Sequence, residues 1–197
     1  EFFNSKKGRN FIYKLKDKKI WLDLKLFDIP NTVYSSIIAL KDLNNLKYLT
    51  VHASGGLEMM IAAKKAAKKI NKKIKILGVT ILTSFSEKSL KKIGHTRSIK
   101  KIVKLQAKLI RSAGLDGIVC SGHEAKIIKQ TFKNFEIILV DNNSSDNTLQ
   151  KAKQYKIDKI INIKNFLPGK ALNLGIKNSV GKFCVCLSAH CIPKNKF

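Results

Sequence analysis

The tightest constraint on the fold of this chain is an alternation. Apolar runs of strand length take turns with stretches whose apolar residues recur at helical spacing. The pattern predicts strands over residues 19–26 (KIWLDLKL), 48–52, 74–82, 117–120, 135–140, 159–163 and 183–187. Between them it predicts helices over 32–43, 57–70, 86–93, 99–113, 124–132, 146–155 and 170–178. Pro30 opens the first helix, Ser54-Gly55-Gly56 closes the second strand, and Gly114 ends the long helix at 99–113. Strands that are apolar nearly throughout, each followed by a helix, imply a parallel sheet covered by helices. The fold class is therefore α/β, either a closed barrel or an open doubly wound sheet. No linker rich in Pro, Gly or Ser divides the 197 residues.

Composition narrows the partners. The net charge is +26, but of the 39 basic residues only Arg9, Arg97 and Arg111 are arginines. Reading of base edges and phosphates favours the bidentate guanidinium. Lysines here fall mostly on polar helix faces, as at Lys64-Lys65 and Lys68-Lys69. A specific nucleic-acid role is not expected, whereas salt-sensitive adhesion to polyanions is. No apolar run reaches the 18 or so residues of a membrane-spanning helix, and no secretory leader opens the chain. Cys120, Cys184, Cys186 and Cys191 make no disulfide framework in a chain of this length and read as reduced thiols of a cytoplasmic protein. Cys184 and Cys186 share one strand face as small core residues rather than zinc ligands, since the usual spacing of ligand cysteines is absent.

One strand carries charge where a core strand should not. Asp23 and Lys25 stand two apart in Trp21–Leu26, on one face. In a barrel that face is the interior, near the mouth where sites are built. Asp28 follows, then Ile29-Pro30-Asn31-Thr32. Buried charges are costly unless paired, so the pattern points to a functional site. The plainer reading is a solvent-facing, salt-bridged edge.

The run from Asp23 to Thr32 (DLKLFDIPNT) resembles the signature of orotidine 5′-phosphate decarboxylases. The resemblance continues through residues 51–60 (VHASGGLEMM), 79–84 (VTILTS) and 114–121 (GLDGIVCS), covering about residues 1–138. It implies a TIM barrel, present here as strands three to six or seven, working as a homodimer without cofactor or metal. The implied reaction converts orotidine 5′-monophosphate to uridine 5′-monophosphate and CO2. By resemblance, Asp23, Lys25 and Asp28 are catalytic, and Ile29, Thr32 and Thr83 bind substrate. Asp23 would sit beside the substrate carboxylate. Lys25 would stabilise the carbanion at C6 and give it a proton. Asp28 and Thr32 would reach the neighbouring subunit's site, and Thr83 would lie near the pyrimidine and the phosphate-side loops. His52 reads as a hydrogen-bonded interior histidine, since Lys25 supplies the proton; His95 and His123 read as surface residues.

The sequence departs from that family in places. The family's further Asp and Lys lie upstream of Glu1, and the later Thr-Pro-Gly-Ile-Arg loop and Gly-Arg phosphate grip have no counterpart. The missing initiator Met and these gaps suggest a fragment whose activity needs the remaining strands.

From Glu136 the text changes. Residues 136–148 (EIILVDNNSSDNT) resemble the nucleotide-binding start of a family 2 (GT-A) glycosyltransferase, supported by residues 168–175 (PGKALNLG) and 180–187 (VGKFCVCL). A partial Rossmann-like GT-A segment over residues 139–197 would then follow a partial barrel over 1–138, as in a chimera. In that family the residue matching Asp141 contacts the donor nucleotide. The family's Asp-x-Asp metal pair is replaced by Ser188-Ala189-His190, and a hydroxyl with an imidazole suits Mg2+ poorly. Three functions follow from these residues: the decarboxylase, a nucleotide-sugar-dependent glycosyltransferase, or a non-enzymatic basic protein that binds polyanions.

Overall fold

In the computed structural model of the chain, the described residues are 5–15, 17–71, 73–82, 84–121, 124, 127–128, 131, 138–145, 147–153, 157–164, 168–180 and 184–188. They form two compact units, Glu1–Val119 and Cys120–Phe197.

The first unit is a parallel sheet with helical cover. Its strands are β1 (Ile20–Leu26), β2 (Leu46–His52), β3 (Lys75–Val79) and β4 (Gly117–Ser121, whose last two residues begin the second unit). They lie side by side in chain order, each pair parallel. The helices are α1 (Lys6–Lys14), α2 (Pro30–Ile38), α3 (Gly56–Ile70), α4 (Glu87–Lys92) and α5 (Ile99–Ser112). Adjacent parallel strands joined by helices are the expected arrangement of consecutive barrel strands.

Each element has a local cause. Pro30 occupies the first turn of α2, where its missing N–H costs nothing. Ser86 and Ser89 cap α4 reciprocally, and Ser98 caps α5. Gly94 and Gly114, at φ +87° and +67°, turn the chain out of α4 and α5 in the left-handed conformation that glycine tolerates. The helix after Pro30 ends at Ile38, short of the predicted Leu43, and residues 39–45 are turns that lead into β2.

The core sits between sheet and helices. Leu49, Val51 and Ile76 share the strand face of Gly78, which α5 approaches, and they are essentially inaccessible to water, as are Met59, Met60, Ala63 and Ala67 of α3 and Val103, Ala107 and Ile110 of α5. Gly78 lets α5 come close: a Cβ there would stand 2.6 Å from Ile110 Cδ1. Helix α1 is absent from the sequence expectations. Its KKGRNFIYK text is amphipathic but short and mostly polar, and tertiary contacts hold it. Ile12 is buried, Arg9 bonds Asp42 at 3.1 Å and the Ala39 carbonyl at 2.9 Å, and Asn45 donates to the Leu15 carbonyl at 2.8 Å.

In the second unit, β5 (Ile138–Asp141) pairs in parallel with β6 (Lys159–Asn162). Short helical segments span Thr148–Lys153 and Pro168–Lys177, the latter packing on β5 with Gly175 against Val140. A further strand spans Cys184–Ser188. The predicted helix over 124–132 falls largely outside the described residues.

Candidate active site

The charged strand β1 is irregular where its charges lie. Leu22 pairs with Leu49 and Leu26 with Val51, so Asp23, Leu24 and Lys25 stand opposite the single residue Thr50. This is a bulge with more than the usual one extra residue, and such features re-aim side chains beside functional sites. Lys25 carries φ +50°, a left-handed backbone that a residue bearing a Cβ adopts at a cost. The turned backbone nonetheless leaves Lys25 Nζ in an ion pair with Asp23 Oδ2.

Thr50 fills the gap in the ladder. Its hydroxyl, buried completely, accepts the Lys25 backbone N–H at 2.9 Å and donates to Asp23 Oδ1 at 2.8 Å. Both functional candidates are thus tied to one side chain of the neighbouring strand. No motif singled out Thr50; the signal available was a threonine between the apolar Leu49 and Val51 of β2.

The expectation that Asp23 and Lys25 lie in a dry interior is corrected. Their side chains are 53% and 40% exposed. The physical reason is the position of β1 at the edge of the described sheet, where only β2 lies beside it. At that exposure the ion pair itself contributes little stability, about 1 kcal/mol or less.

Asp28 is exposed just beyond the strand and its Oδ1 accepts the Ile29 N–H at 2.7 Å. Ile29 and Phe27 are 66% and 63% exposed, and Thr32 on the first turn of α2 is exposed as well. Asp23, Lys25, Asp28, Ile29 and Thr32 therefore cluster at and just past the carboxyl end of β1. Thr83 lies outside the described residues.

His52 ends β2 at the same side of the sheet. It is half-buried, its ring meets Phe27 edge-on at a centroid distance of 6.0 Å, and it makes no hydrogen bond among the described residues, contrary to the hydrogen-bonded histidine expected from the sequence. Burial lowers its pKa below the ordinary 6.5; the Lys25 ammonium lowers it further, and Asp23 opposes them. The His52 imidazole is thus biased toward its neutral form and lies within the field of the charge pair. His95 is exposed, as expected, and His123 lies outside the described residues.

In the second unit Asp141 ends β5, buried, with its carboxylate accepting the Ser144 N–H at 3.0 Å and the Ser144 hydroxyl. Among the described residues no three His, Cys, Asp or Glu side chains gather as a metal-ligand set, and no helix is long and apolar enough to cross a membrane. Ala189 and His190 lie outside the described residues.

Comparison with known proteins bears on the same elements. The family model "Orotidine 5'-phosphate decarboxylase / HUMPS family" matches residues 2–163. That match runs past Ile138, where the motif-based resemblance ends, through β5 and β6. The orotidine 5′-phosphate decarboxylase of Buchnera aphidicola subsp. Acyrthosiphon pisum (strain 5A) is 48% identical over 153 residues, 72% of this chain and 64% of the relative. The decarboxylase of Wolbachia pipientis subsp. Culex pipiens is 46% identical over 120 residues, 60% of this chain and 52% of the relative. The chain thus spans less than two thirds of the length of these relatives. The crystal structure of orotidine 5′-phosphate decarboxylase from Lactobacillus acidophilus superposes with a TM-score of 0.64 at 32% identity, covering 79% of this chain and 71% of that one.

Proposed function

Because this chain belongs to the orotidine 5′-phosphate decarboxylase / HUMPS family, we propose that it contributes the catalytic strand of an enzyme that decarboxylates orotidine 5′-monophosphate. The observation that carries the reading is the Asp23–Lys25 ion pair, held by Thr50 at the carboxyl end of a parallel strand.

The chemistry follows from what the pair can do. When the bond from C6 to the carboxylate breaks, CO2 leaves and the electron pair stays on C6. An ammonium fixed beside that carbon stabilises the developing charge, an effect that grows as water is excluded. Lys25 Nζ then gives its proton to C6, yielding uridine 5′-monophosphate, and the amine regains a proton from solvent. Asp23 holds the ammonium in place before reaction and lies beside the departing carboxylate. Ile29, Thr32 and Thr83 contact substrate in this reading. Asp28 and Thr32, on an exposed face with Phe27 and Ile29, extend to the site of a second copy in a homodimer. No cofactor or metal enters any step, and pyrimidine synthesis in the cytoplasm is the setting.

The test is direct. The chain is titrated with uridine 5′-monophosphate, and its turnover of orotidine 5′-monophosphate is followed by absorbance. Binding with turnover that Lys25→Ala abolishes supports the reading; neither binding nor turnover once the chain is joined to the remaining strands overturns it.

A second reading concerns residues 139–197 as a GT-A segment appended to a barrel portion at 1–138. Its favouring observation is the parallel β5–β6 pair with Asp141 at the carboxyl end of β5, the place where open α/β sheets bind nucleotides. Any divalent metal would belong to this reading alone. Nucleotide-sugar binding that Asp141→Ala removes would support it. Unchanged binding, or none in the parent chain, would remove it. The polyanion-binding reading keeps only the net charge in its favour, and heparin retention lost by about 0.2 M salt would reduce it to nonspecific adhesion.

A further inference from the structure

We propose that Thr50 is the positioning residue of the site: its hydroxyl sets both the backbone of Lys25 and the carboxylate of Asp23, and so aims the ammonium. The inference rests on the functional reading above for its catalytic meaning, but its geometry stands apart from it.

The argument begins with the count of residues across the β1–β2 ladder. Three residues of β1 face one of β2, so the ladder lacks backbone carbonyls for the extra N–H groups. A buried N–H without an acceptor is costly. Thr50 Oγ1 supplies the acceptor for Lys25 N–H at 2.9 Å. An amide can only donate and an ionised carboxylate can only accept. The single hydroxyl proton is therefore committed to Asp23 Oδ1, at 2.8 Å. One oxygen atom fixes two groups at once.

The consequences reach Lys25 Nζ by two routes. The bond to the backbone holds Lys25 at φ +50°, a conformation that persists only where the surroundings over-determine it. The bond to Oδ1 fixes the Asp23 carboxylate, leaving Oδ2 to the Lys25 ammonium. Because Thr50 is fully buried, its rotamer is set by packing rather than by solvent. Leu49 and Val51, its fully buried neighbours in β2, have only apolar side chains and could not take its place.

The experiment compares Thr50→Val, which keeps the shape and removes the hydroxyl, with Thr50→Ser, which keeps the hydroxyl. The first readout is amide hydrogen exchange by NMR in the full chain. Thr50→Val is expected to speed exchange at Lys25 roughly tenfold, the worth of one hydrogen bond, with Leu49 and Val51 amides unchanged. Thr50→Ser is expected to restore protection. Unchanged exchange at Lys25, or equal acceleration along all of β2, overturns the proposal. The second readout is turnover of orotidine 5′-monophosphate. Thr50→Val is expected to lower kcat about a hundredfold with KM little changed, and Thr50→Ser to recover most of it. A rise in KM alone, or no recovery with Ser, also overturns it. A protected Lys25 amide with no turnover once the chain is joined to the remaining strands fails the functional reading while leaving the bracing by Thr50 intact.

Discussion

Lys25 reaches back to Asp23 across a single intervening residue, from a backbone wound in the left-handed sense at φ +50°. The ammonium that the proposed function requires here stands on an unfavourable backbone, since the left-handed conformation costs a non-glycine residue about 1–2 kcal/mol. The cost is measurable. Lys25→Ala and Lys25→Gly both delete the ammonium, and both are expected to abolish decarboxylation. Only glycine is free of the steric penalty. Lys25→Gly should therefore be more stable than Lys25→Ala by about 1 kcal/mol. Urea unfolding of the two variants decides it; equal midpoints would mean that the turn carries no strain.

The same residues show how far sequence alone could go. Alternating strand and helix patterns gave the elements and the parallel sheet, because apolar periodicity is a property of each segment by itself; the side-by-side order of β1–β4 is a relation between segments and came from the structure. The motif around Asp23, Lys25 and Asp28 pointed to the strand on which the structure places the bulge and the ion pair. Three further things lay beyond the pattern. The bulge opposite Thr50 is a relation between two strands, and no period-2 count within β1 reveals it. The exposure of Asp23 and Lys25 depends on which strand lies at the sheet edge. Helix α1 is stabilised by Arg9 on Asp42 and by Asn45 on the Leu15 carbonyl, contacts about thirty residues away in sequence.

His52 should report on the charge pair. Burial and Lys25 hold its pKa below 6.5, while Asp23 pulls the other way. An NMR titration of the ring should therefore show the pKa rising toward 6.5 in Lys25→Ala and falling further in Asp23→Ala. The linkage to stability has a definite sign. Between the folded pKa and 6.5 the unfolded chain binds more protons, so stability increases with pH in that window. It decreases as pH falls from about 6.5 through the folded value. His52→Gln should flatten that part of the profile, and an unaltered profile would place the acid sensitivity elsewhere.

The close approach of α5 to β3 depends on Gly78. Its missing Cβ would meet Ile110 Cγ1 at 2.5 Å and Cδ1 at 2.6 Å, and Ile110 is itself buried. Gly78→Ala is expected to destabilise the fold by about 1–3 kcal/mol through overpacking. Ile110→Val removes one of the clashing atoms. The double variant should then lose at least about 0.5 kcal/mol less than the two single losses added together. Strict additivity in chemical denaturation would show that the helix moves away instead.

Asp116 separates support of the fold from chemistry. It immediately precedes β4, with its side chain only 12% exposed. Its carboxylate accepts the Ile76 N–H at 2.9 Å, the Lys75 ammonium at 3.2 Å and the Lys64 ammonium. Its own N–H donates to the Ile76 carbonyl at 2.8 Å, so the starts of β3 and β4 are joined through this residue. Removing the carboxylate strands a buried N–H and leaves the Lys64 ammonium, whose side chain is 16% exposed, without its partner. Asp116→Ala should cost about 3 kcal/mol. Lys75→Ala should cost less than about 1 kcal/mol, because that side chain is 43% exposed and its pairing is screened. Asp116 stands just before the amino end of β4, away from the carboxyl ends of β1 and β2 that carry Lys25 and His52. The turnover per folded molecule should therefore stay within about twofold of the parent in Asp116→Ala, while the thermal midpoint drops. A loss of kcat in protein shown to be folded would assign Asp116 to the site rather than to the frame.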